Sequence, residues 1–137
     1  MTISFEVPGT PVPQSRPRVS RYGTYYPPKV KAYREYVSTI AKAAMRGREP
    51  LQGALEMSCT FYFTPPKSTP KKTLSAMYGT YHTRKPDADN LLKCVQDSLN
   101  GICYVDDSQI AVLHASKVYA DEARAEIVIV RDSAEMT

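Results

Sequence analysis

The stretch ALEMSCTFYF, residues 54–63, strongly constrains the fold of this chain, because apolar and polar side chains alternate along it. A period of two places alternate side chains on opposite faces of a β-strand. Residues 2–7, TISFEV, alternate in the same way. Both segments therefore predict half-buried strands of one sheet. The side chains predicted to face the core are Ile3, Phe5, Val7, Leu55, Met57, Cys59, Phe61 and Phe63.

Two helices are predicted to cover this sheet. Residues 29–46 carry apolar side chains at helical spacing, and Gly47 follows directly after them. The stretch DADNLLKCVQDSLNG, residues 87–101, predicts a second helix that stops at Asn100 and Gly101. The core face of the first helix is predicted to contain Val30, Tyr33, Val37, Ile40, Ala41 and Ala44.

The remaining segments complete the predicted fold. Residues 110–119 and 124–131 predict a β-hairpin that turns through residues 120–123. Residues 64–86 are rich in Pro, Thr and Lys, and they predict at most one helical turn, around residues 74–78. The sequence thus predicts an α+β fold: a single small domain over residues 1–137, with a sheet of about four strands and two main helices packed on it.

Length and composition narrow the class of protein. A chain of 137 residues, 42% hydrophobic and 23% charged, is typical of a globular domain with a real core. It has neither an apolar run of membrane-spanning length nor the pattern of a signal peptide, so we expect a cytoplasmic protein with no membrane partner. The three cysteines show no C-x-x-C spacing, which argues against a disulfide framework and against a zinc site. The two histidines are far apart in the sequence, which also argues against zinc. Carboxylates remain the only plausible metal ligands.

Charge is unevenly distributed along the chain. Residues 1–86 carry 14 Lys or Arg against four acidic residues, whereas residues 87–137 carry four against ten. This asymmetry indicates a region that binds a polyanion beside an acidic region, and nucleic acid is the ordinary polyanion for an intracellular protein. The alternative is a basic surface that contacts only solvent, since many moderately basic domains bind no nucleic acid.

Two basic segments contain the candidate DNA contacts. In residues 8–28 arginines are interleaved with tyrosines, which offer forked phosphate contacts and flat faces for bases. Disorder is the alternative for a connection of this length. The second segment, residues 64–86, leads directly into an acidic motif. The predicted DNA-binding residues, chosen from charge and position, are Arg16, Arg18, Arg21, Lys71, Lys72, Arg84 and Lys85.

Four aspartates flank the second predicted helix. Pro86 restricts its own backbone and that of the residue before it, so Asp87 and Asp89 fall in or just before the first turn. Asp106 and Asp107 follow the end of the helix. Capping of free N–H groups accounts for one aspartate of the first pair. If both pairs converge, their repulsion requires a divalent cation, and an all-oxygen ligand set favours magnesium or manganese.

Lys93 lies four residues after Asp89 and therefore on the same face of the helix. Its ammonium group could stabilise the extra negative charge of a phosphoryl-transfer transition state. The alternative is a salt bridge with Asp89 or Asp97, which contributes only about 0.3 to 0.5 kcal/mol.

The acidic motifs carry a resemblance to a known family. The stretch KPDADNLLKCVQDSLNG, followed by YVDDSQI, resembles the pattern of the RusA-like Holliday junction resolvases of bacteria and their prophages. That pattern is D-x-D-N, a lysine four residues after the second Asp, a helix ending in L-N-G, and then D-D-x-Q. The stretches GTPVPQSRPR and YPPKVKAYREYV also resemble the opening of the family, so the resemblance covers most of the chain.

The resemblance implies a function and a set of site residues. Asp87, Asp89 and Asp107 match the family positions that bind catalytic magnesium, Lys93 matches its essential lysine, and Asp106 is a weaker candidate ligand. The resemblance also implies a small mixed α/β fold, a homodimer, and paired symmetric nicks in four-way DNA junctions during recombination and repair. Magnesium is the expected cofactor, with manganese as the alternative. The basic segments vary within the family, so no base preference is implied.

Two rival functions remain open. One is a non-catalytic nucleic-acid-binding module whose aspartates cap a helix, and the other is a nuclease for flaps or other branched DNA.

For the homodimer, residues 123–131 or residues 2–7 could pair across a two-fold axis, and either helix could pack there.

Overall fold

Helices separate the first three strands of the main sheet in sequence, whereas the last two strands follow each other directly. The computed structural model describes residues 1–15 and 18–131. The predicted strands at residues 2–7 and 54–63 and both predicted helices are confirmed to within a residue or two. The elements are β1 (Thr2–Pro8), β2 (Arg18–Ser20), β3 (Gly23–Tyr25), α1 (Pro28–Met45), β4 (Leu55–Phe63), α2 (Lys71–Met77), α3 (Ala88–Leu99), a 3₁₀-helix (Asp107–Gln109), β5 (Ile110–Tyr119) and β6 (Arg124–Val130).

The main sheet has four strands in the order β1-β6-β4-β5. Strand β6 runs antiparallel to both β1 and β4, whereas β5 runs parallel to β4. The sheet is therefore mixed, and the predicted α+β class with about four strands is confirmed.

The core lies on one face of this sheet. The five alternate side chains of β4 from Leu55 to Phe63 are buried, as the period of two predicts. Helices α1 and α3 cover this face and pack against each other, and the Ser38 hydroxyl donates a hydrogen bond to the Ser98 carbonyl at 2.8 Å. The buried residues of α1 are Val30, Tyr33, Val37, Ala41 and Met45, and Ile40 and Ala44 are partly buried.

The predicted hairpin of the last two strands is wrong. Strands β5 and β6 form where expected, but both pair with β4 rather than with each other. The connection at residues 120–123 crosses the end of β4, where the Ala120 N–H donates to the Phe63 carbonyl at 2.9 Å. To pass over β4, the connection must span two strand spacings of about 4.8 Å each, and four residues are long enough to do so. Alternation assigns each side chain to a face and does not choose the neighbouring strand.

This strand order restricts how copies of the chain could pair. Strand β6 is hydrogen-bonded on both sides, so residues 123–131 cannot extend the sheet into a second copy. Strands β1 and β5 are the two edges of the four-stranded sheet. The outer edge of β5 is partly covered near its C-terminal end, where Tyr81 pairs with Val118.

Both basic segments contain more structure than predicted. The first includes a small hairpin, in which β2 pairs with β3 and the Ser20 hydroxyl accepts a hydrogen bond from the Tyr22 N–H at 3.2 Å. In the second, α2 begins directly after Pro70 and makes about two turns, where at most one was predicted. Local hydrogen bonds fold both segments without burying an apolar face, so hydrophobic periodicity gave no signal for them.

Candidate functional site

The chain that leads into α3 is fastened to the end of β5. The Lys117 ammonium donates to the carbonyls of Arg84, at 2.6 Å, and Pro86, at 2.8 Å. The N–H of His82 donates to the Lys117 carbonyl at 2.9 Å. A single strand residue thus holds three points of the approach to α3 and sets where Asp87 begins the helix.

The His82 side chain anchors the same segment to the core. Its ring stacks on Phe63, with centroids 4.5 Å apart, and lies 5.0 Å from the Tyr119 ring. Burial, followed by the charge of Lys117, lowers the pKa of His82 below its ordinary value. The imidazole is therefore neutral at pH 7 and packs as a flat, largely apolar group.

Asp87 and Asp89 occupy the start of α3, as predicted. Asp87 is the N-cap residue, and its carbonyl accepts the first helical bond, from Leu91 at 3.2 Å. Its carboxylate caps no N–H and lies 3.3 Å from the Lys85 ammonium, in an exposed pair that contributes little to stability. Asp89 is exposed in the first turn. Capping therefore does not explain the first pair of aspartates.

Asp106 and Asp107, the second pair of aspartates, have different roles. Asp106 caps the 3₁₀-helix, accepting a hydrogen bond from the Ser108 N–H at 3.0 Å. Hydrogen bonding from the Ser108 side chain, followed by that from its N–H, lowers the pKa of Asp106. Gln109 completes a capping box because its Oε1 accepts from the N–H groups of Val105 and Asp106. The Asp107 carboxylate takes no part in this network.

Gln109 also ties the 3₁₀-helix to the chain before β4. Its Nε2 donates to the carbonyls of Leu51, at 2.9 Å, and Gly53, at 3.0 Å. The side chain thus uses both its donor and its acceptor to hold the turn that presents Asp107. Gln109, the last residue of the D-D-x-Q motif, therefore has a structural role.

The 3₁₀-helix packs against α3, which brings Asp107 alongside the helix of the first pair. Between them, the buried Tyr104 donates its hydroxyl to the Gln96 carbonyl at 2.7 Å. Burial, followed by the nearby Asp107 charge, raises the pKa of Tyr104. Within residues 1–15 and 18–131, however, no three His, Cys, Asp or Glu side chains are gathered closely enough to hold a metal ion.

Lys93 is exposed on α3, one turn after Asp89. In the part of the chain that the structure describes, it forms no ion pair with Asp89 or with Asp97. Asp97 instead accepts a hydrogen bond from the Gln14 amide at 2.9 Å. The salt-bridge alternative for Lys93 is therefore not supported.

Five of the seven predicted DNA contacts are exposed side chains of the described residues. Arg16 lies outside the described residues, and Arg18 begins β2. Arg21 is exposed at the turn of the small hairpin, with its guanidinium 5.6 Å from the centre of the Tyr22 ring. The other four, also exposed, are Lys71 and Lys72 in the first turn of α2, and Arg84 and Lys85 just before Asp87.

Lys117 was missed by the sequence reasoning, because its place on the core-facing side of β5 follows only from the strand pairing. It is the only Lys or Arg in β5, and its pairing with Phe61 puts it on the face of the sheet that carries the core. A charged residue at a core-facing strand position requires a partner, because an unpaired buried charge is costly. Here the partners are the two carbonyls beside Asp87.

The described residues include no helix that is both long and apolar enough to cross a membrane.

Known proteins give a more specific comparison. The chain is 38% identical over 76 residues to the crossover junction endodeoxyribonuclease rusA of Lactococcus phage r1t, an alignment that covers 55% of this chain and 53% of the phage protein. It is also 40% identical over 135 residues to the uncharacterized protein YqaN of Bacillus subtilis (strain 168), covering 93% of this chain and 94% of that relative. Residues 8–130 match the family described as Endodeoxyribonuclease RusA, so this chain belongs to the RusA endodeoxyribonuclease family.

Proposed function

We propose that this protein is a magnesium-dependent endonuclease that resolves four-way DNA junctions by paired symmetric nicks, during recombination and repair. One observation carries the proposal. Asp87, Asp89 and Asp107 lie on two elements that pack together, and apart from the exposed Lys85 pair their carboxylates have no partner among the described residues. The Asp106 carboxylate, by contrast, already accepts a hydrogen bond as the cap of the 3₁₀-helix.

The donor chemistry of these three aspartates fits a hard divalent cation. Carboxylate oxygens are the ligands that magnesium prefers, and three of them leave positions open for water and phosphate. Asp87 and Asp89 would hold the ion from the start of α3 and Asp107 from the 3₁₀-helix. The three side chains would have to close together to do so, because no such group of three is gathered among the described residues. A bound magnesium ion supplies a Lewis acid that activates water and offsets charge on phosphate oxygens.

The other residues would act on the DNA directly. Lys93 lies one turn beyond Asp89, so its ammonium can contact a phosphate held at the start of α3. A positive charge at that point stabilises the added negative charge of the transition state. Lys117 holds the approach to Asp87 through backbone carbonyls and would therefore act as a positioning residue.

A cleavage assay tests this function against its rivals. The purified protein is incubated with a four-way junction, a flapped duplex and a linear duplex, with magnesium and with EDTA. We expect magnesium-dependent nicks at symmetric positions in the junction alone. Binding without cleavage under all conditions would favour a non-catalytic binding module, and faster cleavage of flaps would favour a nuclease for other branched DNA.

The basic segment in α2 should contribute affinity rather than chemistry. Replacing Lys71 and Lys72 by Ala removes two phosphate contacts, so the slope of log affinity against log salt should fall by about two. Cleavage at saturating protein should remain. As a matched control, Arg46→Asn with Arg48→Ala removes the same charge at the far end of α1, and Asn tolerates the left-handed backbone of Arg46, whose φ is 52°. An unchanged slope in the Lys71 and Lys72 variant would show that these lysines only contact solvent.

Symmetric nicking predicts a dimer. A four-way junction has approximate two-fold symmetry, and an isologous dimer supplies two sites related by the same axis. Sedimentation at micromolar concentration should therefore give roughly twice the chain mass of 15.3 kDa. A strict monomer that cuts both strands in one encounter would contradict this account.

A further inference from the structure

A groove of about 950 Å³ lies between α1 and the second half of α3. Its walls include Lys31, Arg34, Lys42, Asp97 and Ser98, and Tyr25 lies at the end where the small hairpin joins α1. This volume suits one small ligand or a short stretch of single strand, whereas it is too small for a duplex.

The wall near the hairpin is held in place by a connected set of contacts. The Arg34 guanidinium lies 5.0 Å from the centre of the Tyr26 ring, and the Tyr26 hydroxyl accepts a hydrogen bond from the Gln14 amide at 3.3 Å. The same amide donates to Asp97 on α3 at 2.9 Å. The Gln14 Oε1 is buried without a hydrogen-bond partner among the described residues. A fixed wall lowers the entropy cost of binding a ligand.

The groove continues from the proposed catalytic surface. Lys93 and Asp97 are four residues apart on α3, so their Cβ atoms lie about 6 Å apart on one face. Asp97 already lines the groove. The N–H of Gln14 also donates to the carbonyl of Asn90 at 2.9 Å, which holds the chain before the hairpin along this same side of α3. A DNA strand that contacts Lys93 is thus one helical turn from the groove.

Charge and aromatic exposure indicate the ligand. Residues 7–34 contain six Lys or Arg and no acidic residue. Lys31 and Lys42 lie at the two ends of the α1 wall, about 16 Å apart along the helix. Glu35 lies between them and repels phosphate, so phosphates fit at the two ends and the sugars that join them fit between. The Tyr25 ring, 49% exposed, offers a face on which a base can stack.

We propose that this groove binds a short unpaired stretch of the DNA strand beside the cut, with one base stacked on Tyr25 at the hairpin end and phosphates of the stretch on Lys31 and Lys42. The inference rests on the proposed junction cleavage, because a branched substrate supplies unpaired nucleotides. It adds a site that recognises the opened strand, separate from the carboxylates that would hold the metal.

The test measures binding of single-stranded DNA in EDTA, where cleavage is absent. The probe is a short oligonucleotide with a central 2-aminopurine, whose fluorescence is quenched on stacking, and a linear duplex of the same length is the reference. Tyr25→Ala should abolish the quenching and weaken single-strand affinity about tenfold, the scale of one lost base stack. Duplex affinity should stay within about twofold of wild type. Tyr25→Phe should retain the quenching.

Two further variants make the test specific. Tyr36→Ala removes an exposed tyrosine that lies on α1 and does not line the groove, and it should leave the quenching unchanged. Replacing both Lys31 and Lys42 by Gln should lower the single-strand salt slope by about 1.4. Unchanged quenching in folded Tyr25→Ala, or equal losses of single-strand and duplex affinity, would overturn the inference. A protein that shows the quenching but never cleaves a junction would instead overturn the proposed function.

Discussion

Asp89→Asn is expected to reduce junction cleavage by about two orders of magnitude, the scale on which an electrostatic group at a reacting centre acts. Asn keeps the shape of the side chain but removes the charge that would hold the metal. Junction affinity should stay the same or rise, because one charge that repels phosphate is lost. Single-turnover cleavage in magnesium and gel-shift binding in EDTA separate the two effects.

The neighbouring acidic motif supplies the matched control. Asp106→Asn changes a carboxylate that already caps the 3₁₀-helix, and Asn is an equally good N-cap residue. Stability and cleavage should therefore change little, whereas Asp107→Asn should resemble Asp89→Asn. Wild-type cleavage by Asp89→Asn would refute the metal assignment. A more severe effect at Asp106 than at Asp107 would place the ligand one residue earlier.

Lys117→Met should also reduce cleavage, although this residue need not touch DNA. The substitution keeps most of the aliphatic stem but removes the donor to the Arg84 and Pro86 carbonyls. Loss of these charged hydrogen bonds should lower the free energy of unfolding by about 1.5 to 3 kcal/mol. Cleavage should fall about tenfold or more, since small displacements of positioned groups have large effects on rate. Urea unfolding and single-turnover cleavage measure the two changes.

A second readout separates positioning from general destabilisation. The magnesium concentration needed for half-maximal cleavage should rise in Lys117→Met, because Asp87 is no longer held in place. The salt dependence of junction binding should not change. Lys67→Met removes the same charge from an exposed position before α2 and should alter the free energy of unfolding by less than about 0.5 kcal/mol. An unchanged magnesium requirement in Lys117→Met would contradict a positioning role.

Local patterns predicted the elements of this fold well, and their arrangement less well. Alternation located β4 and identified its buried face, because burial of one face of a strand imposes a period of two. The same signal could not show that β4 separates β5 from β6, since strand order depends on contacts between distant segments. Pro86 and the two stop residues bracketed α3 for a local reason, and Gly101 indeed adopts a φ of 77° just past its end.

The candidate site shows the same division. Sequence placed Asp87 and Asp89 at a helix start, and the structure agrees. The different tasks of Asp106 and Asp107 depend on backbone direction within one turn, which residue types alone do not specify. Lys117 lies 30 residues beyond Asp87 in the sequence, so its contact with the approach to α3 could be found only from the folded chain.

The parallel pairing of β4 and β5 has a consequence for how such a chain can vary. Parallel neighbours require a crossover connection, and here it runs over residues 64–109 and carries the aspartates, Lys93 and the second basic segment. The sheet fixes both ends of this connection. Within it, Lys117 holds the segment before α3, and Gln109 holds the 3₁₀-helix. Doubling the length of a flexible loop costs only about 0.6 kcal/mol. Residues 64–70 can therefore lengthen or shorten to suit different DNA branches while the carboxylates stay in register with the sheet.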